Sequence, residues 1–172
     1  MARIPYADPN QNDEVRTLAA QIHKERGRLH NLYLMLLNSP PIARGWLSLL
    51  TAVRQQCQLP ARYRELTILR IAIINGADYE YISHVPIALK EGITQAQIDG
   101  LKDWRKSNAF EPADIAVLAY TDAMTEDIHV PDAVFDALRP HFDTRELTEL
   151  TATIAAYNLV SRFLEAVKID HE

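Results

Sequence analysis

The chain has 172 residues, of which 48% are hydrophobic and 24% are charged, which is typical of a globular domain. A chain of this length can form a core without disulfides or a structural metal ion. Its formal net charge is −5 and it has no block of Lys or Arg, which argues against nucleic-acid binding as its main function. No segment approaches the ~20 apolar residues that span a bilayer, and the N-terminus lacks a signal pattern. We therefore expect a cytoplasmic protein that has no membrane partner.

The first half of the chain has helical periodicity after a short polar start. Residues 1–12, with prolines at positions 5 and 9, predict an extended arm. Apolar residues then recur with helical spacing, which predicts helices over 13–26, 29–37, 42–56 and 61–75. The fourth of these is apolar almost all round after Thr67, which is typical of a buried helix. Its start is marked by Pro60 and its end by Gly76.

The second half continues the same pattern, and its helices begin at recognisable capping residues. Asp78 is a candidate N-cap for a helix over 79–90, and Thr94 with Gln97 fits a capping box. Asp143 or Thr144 begins the last helix. The predicted helices are 79–90, 95–105, 112–125, 131–138 and 144–167. No segment alternates with the period of a strand, so the sequence predicts an all-α fold, with residues 1–172 as one domain.

One tetrapeptide occurs twice, each time at the start of an apolar helix. Arg-Glu-Leu-Thr occupies residues 64–67 and again residues 145–148. Leucine and isoleucine keep the same register after both copies. The match leaves two interpretations open, a chance identity between helices or a helical hairpin that is repeated within the chain.

The segment from Glu65 to His84 carries the residue types most suited to chemistry. Glu65 shares the apolar stripe of its helix, so its carboxylate should point toward the buried side. Glu80 and His84 are four residues apart on the next helix, which predicts that they face each other within hydrogen-bond reach. A carboxylate beside an imidazole suits proton transfer near neutral pH. The same spacing is also common on solvated helix faces, where it only adds a little helix stability.

These residues resemble the core signature of the carboxymuconolactone decarboxylase-like family, which includes alkylhydroperoxidase D-like proteins. The resemblance is strongest over residues 59–94, and the helix from Arg145 to Phe163 is similar to the closing helix of the family. It implies an all-helical bundle that assembles into homotrimers or homohexamers. Glu65 and His84 match the glutamate and histidine of the peroxidase branch. The two cysteines of that branch fall on Ala77 and Glu80, so both thiols are absent.

In the decarboxylase branch, glutamate takes the place of the second cysteine, as Glu80 does here. The resemblance implies action on a small organic acid or lactone, without a cofactor or a metal ion. His84 would deliver the proton, Glu80 would orient its ring, and Glu65 would be a second acid or base. Tyr79 and Tyr81 are expected to line the substrate pocket.

Two other functions stay open at this point. A thiol peroxidase would have to use Cys57, the only cysteine, which precedes the motif and matches neither thiol position. An oligomeric binding protein that has lost the chemistry would hold Glu65 in a structural ion pair, for example with Arg64 or Arg70.

Overall fold

The computed structural model describes all residues, 1–172, and contains nine α-helices and no strand, which confirms the all-α prediction. Two short π-helical segments, Ala52–Gln56 and Ala123–Asp127, continue the third and seventh helices, and a 3-10 segment, Leu101–Lys106, continues the sixth. No helix combines the length and the hydropathy needed to cross a membrane. The helices are α1 Asp13–Arg26, α2 Asn31–Leu36, α3 Pro40–Thr51, α4 Ala61–Asn75, α5 Asp78–Lys90, α6 Gln95–Gly100, α7 Pro112–Asp122, α8 Asp132–Asp136 and α9 Thr144–Val167.

Helix α4 lies at the centre of the molecule and packs against α5, α7 and α9. Leu66, Ile68 and Leu69 are buried on its surface, which accounts for the absence of a polar face in its sequence. Its one buried arginine, Arg70, is paired with Asp122 of α7 at 2.6 Å between Nε and Oδ1. A helix surrounded in this way gives its side chains fixed positions, and one of these side chains is Glu65.

The turn between α4 and α5 depends on one glycine. Gly76 has φ of 66°, the left-handed conformation that ends a helix, and its N–H bonds back to the carbonyl of Ala72. The expected cap of α5 is wrong by one residue, because Ala77 takes the N-cap position and Asp78 is the first helical residue. This short connection makes α4 and α5 neighbours and sets Glu65 against the helix that carries His84.

The repeated tetrapeptide does not produce a repeated hairpin. The second copy begins α9, but α9 runs without a turn to Val167 and no helix follows it. In the register of the repeat, Gly76 corresponds to Tyr157, a residue that continues the helix. The glutamates of the two copies also have different environments. Glu65 is buried, whereas Glu146 accepts a hydrogen bond from the backbone N–H of Asp143 at the start of α9.

Most predicted helices are confirmed, and the differences lie at their ends. The capping boxes at Thr94 and at Asp143 are both formed. The predicted helix over 42–56 begins earlier, at Pro40, and its last turn is the π-helical segment rather than α-helix. The second helix is shorter than the predicted 29–37, and the helix predicted over 131–138 is reduced to 132–136.

We expect Gly76→Ala to lower the free energy of unfolding by about 1–2 kcal/mol, because an L-residue is strained in the left-handed conformation. Gly45 is the matched control, since it lies within α3 with an ordinary helical backbone and with open space where a Cβ would be added. Gly45→Ala should raise the same free energy by about 0.5–1 kcal/mol. Urea denaturation measures both, and equal stability of the two variants would contradict the role assigned to Gly76.

Candidate functional site

A cavity of about 170 Å³ lies between α5, α9 and the helix formed by α3 and its π-helical segment. Its wall is mostly apolar, with Leu50, Ile87 and Leu164 among the lining side chains. His84 and Glu80 both line it. Two of the three predicted acid–base residues therefore lie in the wall of one cavity.

The third residue, Glu65, lies directly behind His84. The Nδ1 atom of His84 is 2.6 Å from Oε2 of Glu65, a short hydrogen bond between buried side chains. No protein group bonds to Nε2 of His84, on the other side of a ring that lines the cavity. The ring of Tyr157 packs edge-on against the imidazole, with the centroids 5.4 Å apart. The imidazole is thus held by α4 and α9 with one nitrogen left for a ligand.

Glu65 is stabilised as a carboxylate by two donors. Burial alone would raise the pKa of its carboxyl group, but hydrogen bonds from His84 and Arg64 outweigh burial and lower this pKa below its ordinary value. Arg64 donates from Nε to Oε1 at 2.9 Å, so each carboxylate oxygen has its own partner. An ionised Glu65 accepts the hydrogen bond from Nδ1–H of His84 and so fixes the tautomer and the orientation of the ring.

Glu80 is in the opposite electrostatic situation. Its side chain is 2% exposed, and neither carboxyl oxygen has a hydrogen-bond partner. Burial raises the pKa of Glu80 well above its ordinary value, and the nearby charge of Glu165 adds to the shift. The neutral carboxylic acid is therefore favoured at this position, with an O–H group that can donate.

The predicted hydrogen bond between Glu80 and His84 is absent. Their spacing of four residues places both on the cavity side of α5, but Nδ1 of His84 bonds to Glu65 of the neighbouring helix instead. An ionised carboxylate gains more from a hydrogen bond donated by histidine than a neutral carboxylic acid does. His84 therefore pairs with Glu65 of the neighbouring helix rather than with Glu80 of its own helix. Glu65, and not Glu80, orients the ring.

The two predicted tyrosines have different positions. Tyr79 lines the cavity, and its hydroxyl donates to Oε1 of Glu172 at 2.7 Å. Tyr81 does not line it and packs instead against the hydrophobic core, with Asp99 of α6 among the nearby charges. Tyr81 is therefore not part of the wall of this cavity, and its contact with a substrate stays a prediction.

Cys57 lies outside the cavity, at the end of the π-helical segment. Burial raises the pKa of its thiol, and the charge of Glu149 acts in the same direction. Both effects oppose the thiolate that a peroxidase needs. The structure also has no group of three or more His, Cys, Asp or Glu side chains placed to hold a metal ion.

The cavity is also lined by polar side chains that the sequence did not single out as site residues, among them Arg26, Trp46, Arg54 and Tyr157. Trp46 and Arg54 could have been found, since with Leu50 they recur at every fourth position along one helix face. Tyr157 and Arg26 come from distant helices, and nothing in their local sequence points to the cavity. Arg26 is occupied by protein partners, among them the hydroxyl groups of Tyr33 and Thr51.

Together these groups form an acid–base site in a small, mostly apolar pocket. An ionised Glu65 holds the ring of His84, and Glu80 adds a neutral carboxylic acid. Such a pair of carboxyl groups, one ionised and one protonated, can move a proton and hydrogen-bond a developing negative charge in the same site.

Comparison of the chain with known proteins identifies its family. Residues 40–123 match the Carboxymuconolactone decarboxylase family, and this segment contains both α4 and α5. The uncharacterized protein YnjA of Escherichia coli (strain K12) is 33% identical over 130 residues, which are 73% of this chain and 66% of that protein. The chain belongs to the carboxymuconolactone decarboxylase-like family.

The chain is also similar in fold to solved structures. A protein of unknown function from Agrobacterium tumefaciens, provisionally assigned to AhpD-like antioxidant defence, has a TM-score of 0.74 at 28% identity, over 78% of this chain and 93% of its own. An uncharacterized peroxidase-related protein from Ralstonia eutropha JMP134, with an alkylhydroperoxidase AhpD core, has a TM-score of 0.84 at 20% identity and covers 99% of this chain and 92% of its own. The second similarity shows the fold alone.

The neutral state of Glu80 predicts a pH dependence of stability. Below about pH 4.5, the ordinary pKa of the group, Glu80 is protonated in both folded and unfolded chains. As the pH rises, the unfolded chain ionises first, which lowers the free energy of unfolding until the folded group also ionises. Relative to Glu80→Gln, the wild type should therefore lose about 1 kcal/mol for each pH unit at most.

Urea denaturation of both proteins between pH 4.5 and pH 8 measures this difference. Glu126→Gln is the control, because that carboxyl group is exposed and should produce no comparable divergence. Parallel curves for the wild type and Glu80→Gln would contradict a buried neutral acid.

Proposed function

We propose that this member of the family is an enzyme that acts on a small organic acid or lactone by general acid–base proton transfer. The observation that carries the proposal is the 2.6 Å hydrogen bond between His84 and Glu65 at the wall of a mostly apolar cavity. A buried ion behind an imidazole is costly unless it is paired, and here the pair leaves the second ring nitrogen available for a substrate.

The reaction that fits best is decarboxylation, as the family description suggests. The bond to the carboxylate carbon breaks, CO2 leaves, and the electron pair moves into a conjugated carbonyl group. Nε2–H of His84 then donates a proton to carbon, while Glu65 stabilises the imidazolium before transfer. Glu80, as a neutral acid, hydrogen-bonds the carbonyl oxygen on which negative charge develops. Solvent returns the proton to His84, so no redox cofactor is required.

A thiol peroxidase is the first alternative, and the position of Cys57 argues against it. The thiol lies outside the cavity and its pKa is raised. If the protein reduced hydroperoxides through this thiol, Cys57→Ser would abolish the turnover. We expect no Cys57-dependent hydroperoxide turnover.

A non-catalytic binding protein is the second alternative, and one contact favours it. Glu65 does form an ion pair with Arg64, which is the arrangement expected if the carboxylate were only structural. Arg70 is not involved, because it pairs with Asp122. This alternative does not explain the unpaired acid of Glu80, and it predicts no turnover that depends on His84.

The test is turnover of 4-carboxymuconolactone followed by proton NMR in D2O. We expect wild-type protein to give a decarboxylated product that carries deuterium at the carbon next to the lactone carbonyl, and His84→Ala to be slower by about 100-fold or more, the usual loss of a general acid. The exposed His141→Ala is the matched control and should retain wild-type turnover, because His141 lies outside the cavity lining.

Equal turnover by wild type and His84→Ala would exclude His84 as the proton donor. Absence of turnover in both would exclude this substrate, and absence across a panel of lactones and organic acids would favour the binding protein. Self-association into a trimer or hexamer stays a prediction, which light scattering on the purified protein measures directly.

A further inference from the structure

Arg54 is a positively charged side chain of the cavity wall whose guanidinium has no ion-pair partner in the protein. It lies in the π-helical segment Ala52–Gln56 and is half-buried at the cavity wall. Its only hydrogen bond with another side chain is through its backbone carbonyl, which accepts from Arg64 at 3.0 Å. The guanidinium itself forms no hydrogen bond or ion pair. In contrast, the guanidinium of Arg26 is used by Tyr33, Thr51 and the backbone.

The π-helix explains why Arg54 reaches the cavity. In an α-helix, each step of four residues turns about 40° beyond a full circle, so Trp46, Leu50 and Arg54 would drift off one face. The wider turn of a π-helix, with its bonds from residue i to residue i+5, reduces that drift. All three side chains consequently line the same cavity.

Two other groups in the cavity lack partners as well. The Nε1–H of Trp46 and both carboxyl oxygens of Glu80 are buried and make no hydrogen bond. Buried polar groups are nearly always satisfied, and each one that is not costs stability. The indole can only donate, whereas a neutral Glu80 can both donate and accept. A ligand with a polar substituent would satisfy them.

The size of the cavity suits a small molecule. A closed apolar cavity of about 150 Å³ accommodates benzene, and the volume of this partly open cavity is about 170 Å³. Apolar side chains from four helices, α2, α3, α5 and α9, form the walls between the polar groups. A single ring with one or two short substituents fits this combination of volume and lining.

We propose that Arg54 selects anionic ligands for this cavity, by binding the carboxylate of a single-ring acid whose other polar substituent hydrogen-bonds to Glu80 and to Nε1–H of Trp46. The inference rests on the proposed function, because it assigns the ligand of the same site. An ion pair with Arg54 stabilises the ionised carboxylate and opposes its loss as neutral CO2. The carboxylate that Arg54 binds is therefore one that the reaction retains.

Calorimetric titration with three probes, 4-hydroxybenzoate, benzoate and 4-hydroxybenzamide, tests this assignment without any turnover. Wild-type protein should bind 4-hydroxybenzoate at least about tenfold more tightly than the amide, because a bidentate guanidinium–carboxylate pair is a strong, charge-assisted one. It should also prefer 4-hydroxybenzoate to benzoate, since only the former carries a group for Glu80 and Trp46.

Arg54→Gln should remove the preference for the acid over the amide, and Arg54→Lys should restore part of it. Arg44→Gln is the control, because Arg44 is an exposed arginine of the same helix and lies outside the cavity. It should bind like wild type. Circular dichroism and thermal unfolding establish that each variant is folded before its binding is measured.

Three results would overturn the assignment. The first is an unchanged preference for the acid in Arg54→Gln, and the second is an equal loss in Arg44→Gln. The third is failure of wild-type protein to bind any of the probes at millimolar concentration. Turnover that depends on His84 without a charge preference at Arg54 would disprove this inference alone, whereas a charge preference without turnover would disprove only the proposed reaction.

Discussion

The Glu65 carboxylate is the interaction on which the rest of the structure around the cavity depends. An isolated buried carboxylate would be prohibitively unfavourable, so its position inside α4 is possible only because each oxygen has a charged or ionisable partner. One partner, His84, belongs to α5. The other, Arg64, also donates to the carbonyl of Arg54 and so joins α4 to the π-helical segment. Three elements around the cavity are in this way fixed by one anion.

The contrast between Glu65 and Glu80 gives the site its chemical character. Both are buried glutamates on adjacent helices, yet one has two donors and the other has none. The low polarity of the surroundings strengthens the hydrogen bonds to the Glu65 carboxylate, and it also keeps the carboxyl group of Glu80 neutral. A single protein environment thereby supports an ionised carboxylate and a carboxylic acid close to one imidazole, without a metal ion being required to adjust either group.

Local signals in the sequence predict the helices, but they do not predict which side chains of different helices come into contact. Apolar spacing and capping residues identify α4, α6 and α9, because these depend on neighbours within a turn or two. Spacing also suggests a partner for His84 on its own helix, whereas the actual partner, Glu65, depends on how two helices pack.

Tyr81 and Arg54 illustrate the remaining limit. The resemblance to the family suggests Tyr81 as a pocket residue, but the sequence cannot tell which side chains of a helix meet a cavity, and Tyr81 packs against the hydrophobic core. A π-helical turn is likewise invisible in an apolar pattern, since it changes the angle between residues without changing their order. The sequence therefore shows that Trp46, Leu50 and Arg54 recur at every fourth position, but it does not show that the last turn keeps Arg54 at the cavity wall.

The π-helical turn also has an evolutionary consequence. It accommodates more residues in one turn than an α-helix does, so loss of a single codon within 52–56 would return the segment to regular α-helix. If the lost codon follows Arg54, this residue would lie about 80° around the axis of a regular α-helix from Trp46, which turns its guanidinium away from the cavity. The charge at the cavity wall could thus change in one mutational step, without any substitution in α4.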